Sequence, residues 1–549
     1  MSAATVFEEI DDAVAEPAAG AVRRGAEHKY LIAVAVVLAA LMQVIDSSIV
    51  NVALPDMMGN LGANLDEIAW VSTGYILASV IVIPLTGFLG DLFGRKRYFV
   101  GSIVLFTAAS FFCGAAHTLG LLIFWRIVQG IGGGALMTVS QAVLFEAFPP
   151  EEAGRAMALF GVGVMVGPTI GPTLGGWLTD TYGWPWIFYI NIPVGILGLV
   201  LVQRFVHEPE DIMRANRAAA EEQRKNVDWS GITLLCVGLG ALQYVLEEGQ
   251  RNDWFDSKLI LALALVAIFA TAAFVIRELT AKVPAVNLAL FKDPVFLSGT
   301  LIGSIMFAML MANLFLLPVF MQELLGFDAT QSGLSLMPRT LIMMVATPIV
   351  GRLYNKVSPR LMIGIGVVAF TVGSVMMSHF TLSTGTAQIV HSLLWQGIGF
   401  ACLFVPLTTV ALSRIPRTKL TDATGLNSLL RQIGGSVGLA IFATLLSRYA
   451  TVAKAAMLAH VTPYSPEAMG RLGQITQGLS ARGLDPATAA QAAPAALAGM
   501  VARQAMVLSF EKMFLLAGIC FLVILPLLLF LKVDRSAEQG HKPEVHLEM

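Results

Sequence analysis

Fourteen stretches of largely apolar sequence, each long enough to cross a bilayer, follow one another along the chain, and they restrict its fold more than any motif does. Crossing ~30 Å of hydrocarbon takes about 20 apolar residues at about 1.5 Å each. On that criterion the spans fall at about 30 to 54, 66 to 89, 98 to 116, 119 to 147, 156 to 180, 185 to 206, 229 to 248, 258 to 276, 295 to 325, 331 to 354, 359 to 379, 385 to 413, 421 to 448 and 513 to 532. Only 13% of the residues are charged and 56% are hydrophobic, against about 25% charged in an average soluble domain. The 549 residues therefore lack the charge to solvate several soluble domains, and the predicted class is an all-α integral membrane protein.

The charge balance excludes a nucleic-acid binder, because 35 basic against 37 acidic residues leave a net charge of -2 and such binders need a basic excess. Cys113, Cys236, Cys402 and Cys520 lie in apolar runs without the spacing of a zinc site. Neither disulfide, metal nor cofactor is expected. Lys and Arg in short loops stay cytoplasmic. Placing both termini inside puts Arg95, Lys96, Arg97, Arg155, Arg352, Lys356, Arg360, Arg414, Arg417 and Lys419 on that side, and leaves only Arg251 and Lys258 in short outer loops. The acidic segment 1–28 is expected to be disordered and cytoplasmic, and 533–549 to be a cytoplasmic tail.

Internal echoes divide the spans. GFLGDLFGRKR at 87–97 has a weaker counterpart in GRLYNKVSPR at 351–360, QGIG at Gln129 recurs at Gln396, and the ends ALP at Pro55 and LLP at Pro318 match, all at offsets of 263 to 267. The expected arrangement is a six-span bundle at 29–206, a segment 207–294 carrying two inserted spans, and a second six-span bundle at 295–532 that includes a long outer loop at 449–512.

The repeat makes the differences between its copies informative. Asp46 in span one corresponds to Met309, and Arg126 in span four to Leu393, so the ionisable pair exists in one half alone. Both lie about 10 to 12 Å below the outer surface by residue count. A charge in hydrocarbon costs at least about 2.5 to 3.5 kcal/mol and marks a functional candidate. A carboxyl alternately buried and set beside a guanidinium can load and release a proton; a static structural ion pair is the alternative. Gln43, one turn before Asp46, is placed on the same face, and Arg339 and Arg431 are candidates for the wall of the substrate cavity or for structural pairing.

Span five repeats glycine every fourth residue at Gly163, Gly167, Gly171 and Gly175, with Pro168 and Pro172 between them. The ridge predicts close approach of another helix, and the prolines predict a bend.

These motifs resemble those of the EmrB/QacA-type, fourteen-span drug:proton antiporters of the major facilitator superfamily, closer to the EmrB-like members. GFLGDLFGRKR resembles the superfamily's cytoplasmic loop motif, with Leu92 where a basic residue is usual; WRIVQGIGGG, containing Arg126, resembles its span-four proton-transfer motif; GVGVMVGPTIGPTLGG is similar to the antiporter motif. DSSIVNVALP at 46–55, WPWIFYINIPVG at 184–195 and DWSG at 228–231 resemble signatures of the fourteen-span branch. The resemblance implies a major facilitator fold of 6 + 2 + 6 helices and alternating access in a bacterial inner membrane. It also implies export of amphipathic small-molecule drugs driven by proton entry through Asp46 and Arg126, and an inner gate at Gly87, Asp91, Gly94, Arg95 and Lys96. That gate is expected to be asymmetric, since Asn355 and Pro359 replace the acid and first base in the second copy. EmrB-like pumps work with a periplasmic adaptor and an outer-membrane channel, so such partners are implied too. A transporter of a single metabolite, fatty acid or siderophore is the competing reading. An enzyme is not expected, for no HExxH cluster or nucleophile with a base is present, and no GxxxxGK[ST] loop supplies ATP.

Overall fold

The computed structural model describes residues 29–208, 213, 227–281 and 283–528, so the N-terminal segment and the C-terminal tail lie outside the described residues. Fourteen of its helices are long and apolar enough to cross a membrane. The first six-helix set comprises α1 (Lys29–Leu61), α2 (Leu65–Phe93), α3 (Arg95–Gly114), α4 (Leu119–Ala147), α5 (Ala153–Tyr182) and α6 (Asn191–Phe205). A single helical turn at Trp186–Tyr189 precedes α6. The inserted pair is α7 (Trp229–Glu248) and α8 (Lys258–Thr280). The second set holds α9 (Pro294–Val319, ending in a π-helical turn at Phe320–Leu324), α10 (Ala329–Leu353), α11 (Pro359–Met377), α12 (Thr386–Leu412), α13 (Leu420–Leu458) and, after the short α14 (Pro466–Ala481), α15 (Pro486–Leu522).

Local chemistry places the helix ends. Asn64 and Glu67 form a reciprocal capping box at the start of α2, Thr118 caps α4, and Asp293, Asp328 and Ser358 cap α9, α10 and α11. Gly94, with φ +84°, makes the sharp reversal from α2 to α3, a conformation that penalises any Cβ.

Packing repeats between the halves. α1 packs on α5, and α2 and α3 on α4; α9 packs on α13, and α10 and α11 on α12. The inserted α7 packs on α8 and touches both α2 and α13. Asp228 ties its start to α8: it accepts from Gly231 N at 3.0 Å, Ser230 Oγ at 2.6 Å and Arg277 Nε at 2.9 Å. Burial pushes this carboxyl up, but the bonds from Arg277, Ser230 and Gly231 outweigh it and hold the group at about 2.

Three boundaries differ from the sequence expectation. α1 runs through Pro55 to Leu61, which puts Asp46 near the middle of a 33-residue helix rather than close to its outer end. The loop 449–512 is largely helical: α13 continues to Leu458, α14 follows, and α15 begins at Pro486 rather than near 513. The reason is composition, because both extensions are rich in alanine, the best helix former, and Asp485 caps the second.

The glycine ridge of α5 lies on α1, the helix that carries Asp46. A Cβ added at Gly163 would meet Val37, at Gly167 Val44, at Gly171 the Ser48 hydroxyl, and at Gly175 Ile49. Ser48 Oγ donates to the Gly167 carbonyl at 3.2 Å, a bond that needs this close approach. Pro168 and Pro172 lie inside α5, which runs unbroken past both. The consequences of filling the ridge differ by position. At Gly167 the added carbon faces the branched Val44 side chain at 2.5 Å and its backbone at 3.1 Å, neither of which can swing away; at Gly171 the obstacle is a hydroxyl that can rotate. Gly167→Ala is therefore expected to cost about 1 to 3 kcal/mol of stability and Gly171→Ala less, with Ser48→Ala relieving the second but not the first, as read by thermal unfolding of the detergent-solubilised protein.

Candidate functional site

Asp46 is fully buried and joins Arg126, whose side chain is 1% exposed, through a contact of 2.6 Å from Nη1 to Asp46 Oδ2. The residues the sequence singled out as a pair are brought together by the packing of α1 on α4. Arg126 is satisfied elsewhere as well: Nε donates to the Val71 carbonyl at 3.0 Å and Nη1 to Gln129 Oε1 at 2.7 Å. Its guanidinium lies 4.3 Å from the Tyr75 ring centroid and 5.7 Å from that of Phe188, so aromatic faces cover the cation where water would otherwise solvate it.

Two amides complete the carboxylate's shell. Gln129 Nε2 and Asn191 Nδ2 both donate to Asp46 Oδ1 at 2.8 Å. Each also donates to Ser110 Oγ, at 3.2 and 3.0 Å, and Ser110 in turn donates to the Phe188 carbonyl at 2.9 Å. Sequence reasoning passed over Gln129, Asn191 and Ser110 as site residues. Gln129 was legible, one turn from Arg126 inside a repeated motif; Asn191 and Ser110 were not, for only the packing of α3 and of the start of α6 brings them to Asp46.

The second half keeps the frame and lacks the charges. Gln396, the counterpart of Gln129, donates to Asn313 Oδ1 and Ser374 Oγ, both at 3.2 Å, as Gln129 donates to Asp46 and Ser110, so the neutral Asn313, and not Met309 as the sequence offset suggested, takes the place of Asp46, while buried Leu393 matches Arg126. Gln396 Oε1 is buried without a hydrogen-bond partner; its equivalent on Gln129 accepts from Arg126.

The other singled-out residues occupy different places. Gln43 lies beside the Tyr75 hydroxyl, at the edge of the charged network. Arg431 is buried in the second half, donates to Thr408 Oγ1 at 2.7 Å, and sits between the rings of Phe307 and Phe404 at 5.4 and 5.3 Å. Arg339 is buried as well, and the Nε atoms of both arginines lack hydrogen-bond partners. Among the described residues no carboxylate pairs with either one.

The loop motif bridges the two halves differently from expectation. Gly87 of α2 has the Asp422 carboxylate of α13 seated directly on its backbone. Arg95 pairs with Glu146 of its own half at 2.5 Å, and Lys96 donates to the Gln203 carbonyl at 2.9 Å, so these bases brace α3 against α4 and α6. Asp91 has Asp422, Arg95 and Glu208 as charged neighbours. The second copy also bridges the halves: a Cβ at Gly351 of α10 would lie 2.6 Å from Ala158 of α5, and Asn355 donates to the Glu151 carbonyl. The contacts α2 to α13 and α10 to α5 are thus equivalent under the repeat, and the glycines, not the charged residues, are what the two copies share there.

Comparison with known proteins accords with this architecture. A family model described as Major Facilitator Superfamily matches residues 36–439. The chain is 34% identical over 511 residues to the multidrug export protein EmrB of Escherichia coli strain K12, covering 93% of this chain and 96% of that one. It is 32% identical over 505 residues to the fatty acid resistance protein FarB of Neisseria gonorrhoeae, covering 92% and 96%. Among solved structures, the proton:xylose symporter XylE superposes with a TM-score of 0.57 at 14% identity over 90% of this chain and 95% of that one, a likeness of fold. With the paired six-helix sets, the inserted helices and this similarity along nearly the whole chain, the protein belongs to the major facilitator superfamily and, within it, to the EmrB-like transporters.

Proposed function

We propose that the chain is a proton-driven exporter of amphipathic compounds, working by alternating access in the bacterial inner membrane. The observation that carries this reading is the buried Asp46–Arg126 pair, present in one half of a repeated scaffold whose other half has the neutral Asn313 bonded to Gln396 in the carboxylate's place and Leu393 at the position that matches Arg126. A fold that needs an ion pair at this position for packing would need it in both halves. The resemblance to a protein named for multidrug export supplies the direction and the breadth of substrate.

Taking Arg339 and Arg431 as cargo-facing residues narrows the cargo. Buried cations are normally paired, and Arg339 and Arg431 have no carboxylate partner among the described residues. This favours neutral and acidic amphiphiles over lipophilic cations as cargo. The same arginines, with the likeness to a fatty acid resistance protein, support the second reading, a transporter dedicated to one lipid-like acid. A panel of cationic, neutral and acidic substrates in proteoliposomes separates the two. The helical extensions of α13 and α15, with α14 against α15, lie at the end opposite the basic loops and offer a surface for a periplasmic adaptor that leads to an outer-membrane channel.

Closure at the basic-loop end rests on Gly87 against Asp422 and Gly351 against Ala158, with Asp91, Gly94, Arg95 and Lys96 shaping the first of these contacts. Along α5, the ridge from Gly163 to Gly175 with Pro168 and Pro172 keeps α1 close while the halves rock.

Two outcomes test the proposal. Asp46→Asn keeps the shape and can still accept from Arg126, so the protein is expected to accumulate normally while drug-dependent proton flux in proteoliposomes falls to background; flux at the parental rate would make the pair a static structural bond. Gly87→Val places a branched side chain in the volume of the Asp422 carboxylate and is expected to cut transport at least about tenfold, roughly the effect of 1.4 kcal/mol. Spin labels on α2 and α13 should then report a longer distance at the basic-loop end than in the parent.

A further inference from the structure

The start of span six contributes to the charge pair in three ways that its sequence did not announce. Pro193 has no N–H for the Tyr189 carbonyl, although Ile190, between the turn Trp186–Tyr189 and α6, keeps right-handed helical dihedrals (φ −62°, ψ −25°). Here the chain presents the Phe188 ring to Arg126, the Phe188 carbonyl to Ser110, and the Asn191 amide to Asp46. Asn191 is 2% exposed, and both hydrogens of its Nδ2 are engaged, one by Asp46 Oδ1 and the other by Ser110 Oγ.

Counting donors shows what this arrangement does. Asp46 accepts from Arg126 at one oxygen and from Gln129 and Asn191 at the other. Three N–H donors converge on the carboxylate, a shell that matches its ionised form, since a proton on Oδ1 would point at two donors already in place. Arg126 and Gln129 share one helix and move together. Asn191 is on another element, the start of α6. The remaining titratable groups near Asp46 are Tyr75 of α2 and Cys113 of α3, while α5 presents the glycine ridge to this part of α1.

On the proton-antiport reading given above, we infer that Asn191 is a positioning residue for the proton site: its amide holds Asp46 in the proton-free form in the state seen here, and its withdrawal with the start of span six lets Asp46 take up a proton. No bond to Asn191 other than hydrogen bonds changes, and the proton passes between Asp46 and water admitted to the site.

The test measures proton release triggered by drug from the detergent-solubilised protein as a function of pH, alongside thermal unfolding. Asn191→Ala removes one of the three donors and is expected to move the midpoint of release upward by about one pH unit. Ser110→Ala leaves the amide present but unoriented, and is expected to move it the same way by less. It also serves where Asn191→Ala does not accumulate. Asn191→Asp sets a second carboxyl against Asp46 and is expected to give the largest upward movement. Lower thermal stability with an unmoved midpoint in both Asn191→Ala and Ser110→Ala would overturn the inference and leave Asn191 a packing residue. The parallel Asp46→Asn protein separates the two readings: continued drug-triggered release from it would overturn proton coupling at Asp46, whereas lost release with an unmoved Asn191→Ala midpoint would overturn the role of Asn191 alone.

Discussion

A carboxylate and a guanidinium in the low-dielectric interior attract each other strongly, but taking both out of water costs several kcal/mol per ion unless every remaining donor and acceptor is matched. The structure around Asp46 and Arg126 meets that condition. The carboxylate receives three donors, the guanidinium reaches a backbone carbonyl and an amide oxygen, and aromatic faces cover the rest. The elements that supply these partners, α1, α2, α3, α4 and the start of α6, are held in register by this requirement. Cost and use have the same source, for a group that is expensive to bury is also one whose charge state can drive a change of conformation.

The second half shows what the scaffold is without that charge. Gln396, Asn313 and Ser374 form a neutral network that relates by the repeat to Gln129, Asp46 and Ser110. A polar knot between the helices equivalent to α3 and α4 therefore belongs to the common architecture, and the ionisable pair is an addition to one copy. The charges are divided accordingly: the first half holds a buried ion pair, and the second holds buried Arg339 and Arg431 with no carboxylate partner among the described residues.

Glycine makes close approach of helices possible both within a half and between the halves. The α5 ridge brings α1 close enough for Ser48 to bond the Gly167 carbonyl. Gly87 and Gly351 do the same between halves at the basic-loop end, each under a neighbour that a Cβ would displace. In a bilayer, where the lipid tails are as apolar as the helix faces, such shape contacts and interhelical hydrogen bonds have to supply association that the hydrophobic effect supplies in water.

The sequence by itself determined the membrane class, the fourteen spans, the repeat and the identity of the buried pair, because the period of apolar residues, the length needed to cross hydrocarbon and the rarity of charge within it are local properties of the chain. It also marked Gly94 and the α5 glycines, whose spacing is local. Tertiary structure alone decided the rest. The face of α1 that receives the ridge, the seating of Asp422 on Gly87, the pairing of Arg95 with Glu146, and the arrival of Ser110 and Asn191 at Asp46 join residues far apart in the chain. Asn191 looks in the sequence like one polar residue at the mouth of an apolar helix. What brings it to the site is the packing that turns its amide toward a carboxylate on another helix, and no periodicity within a single span carries that information.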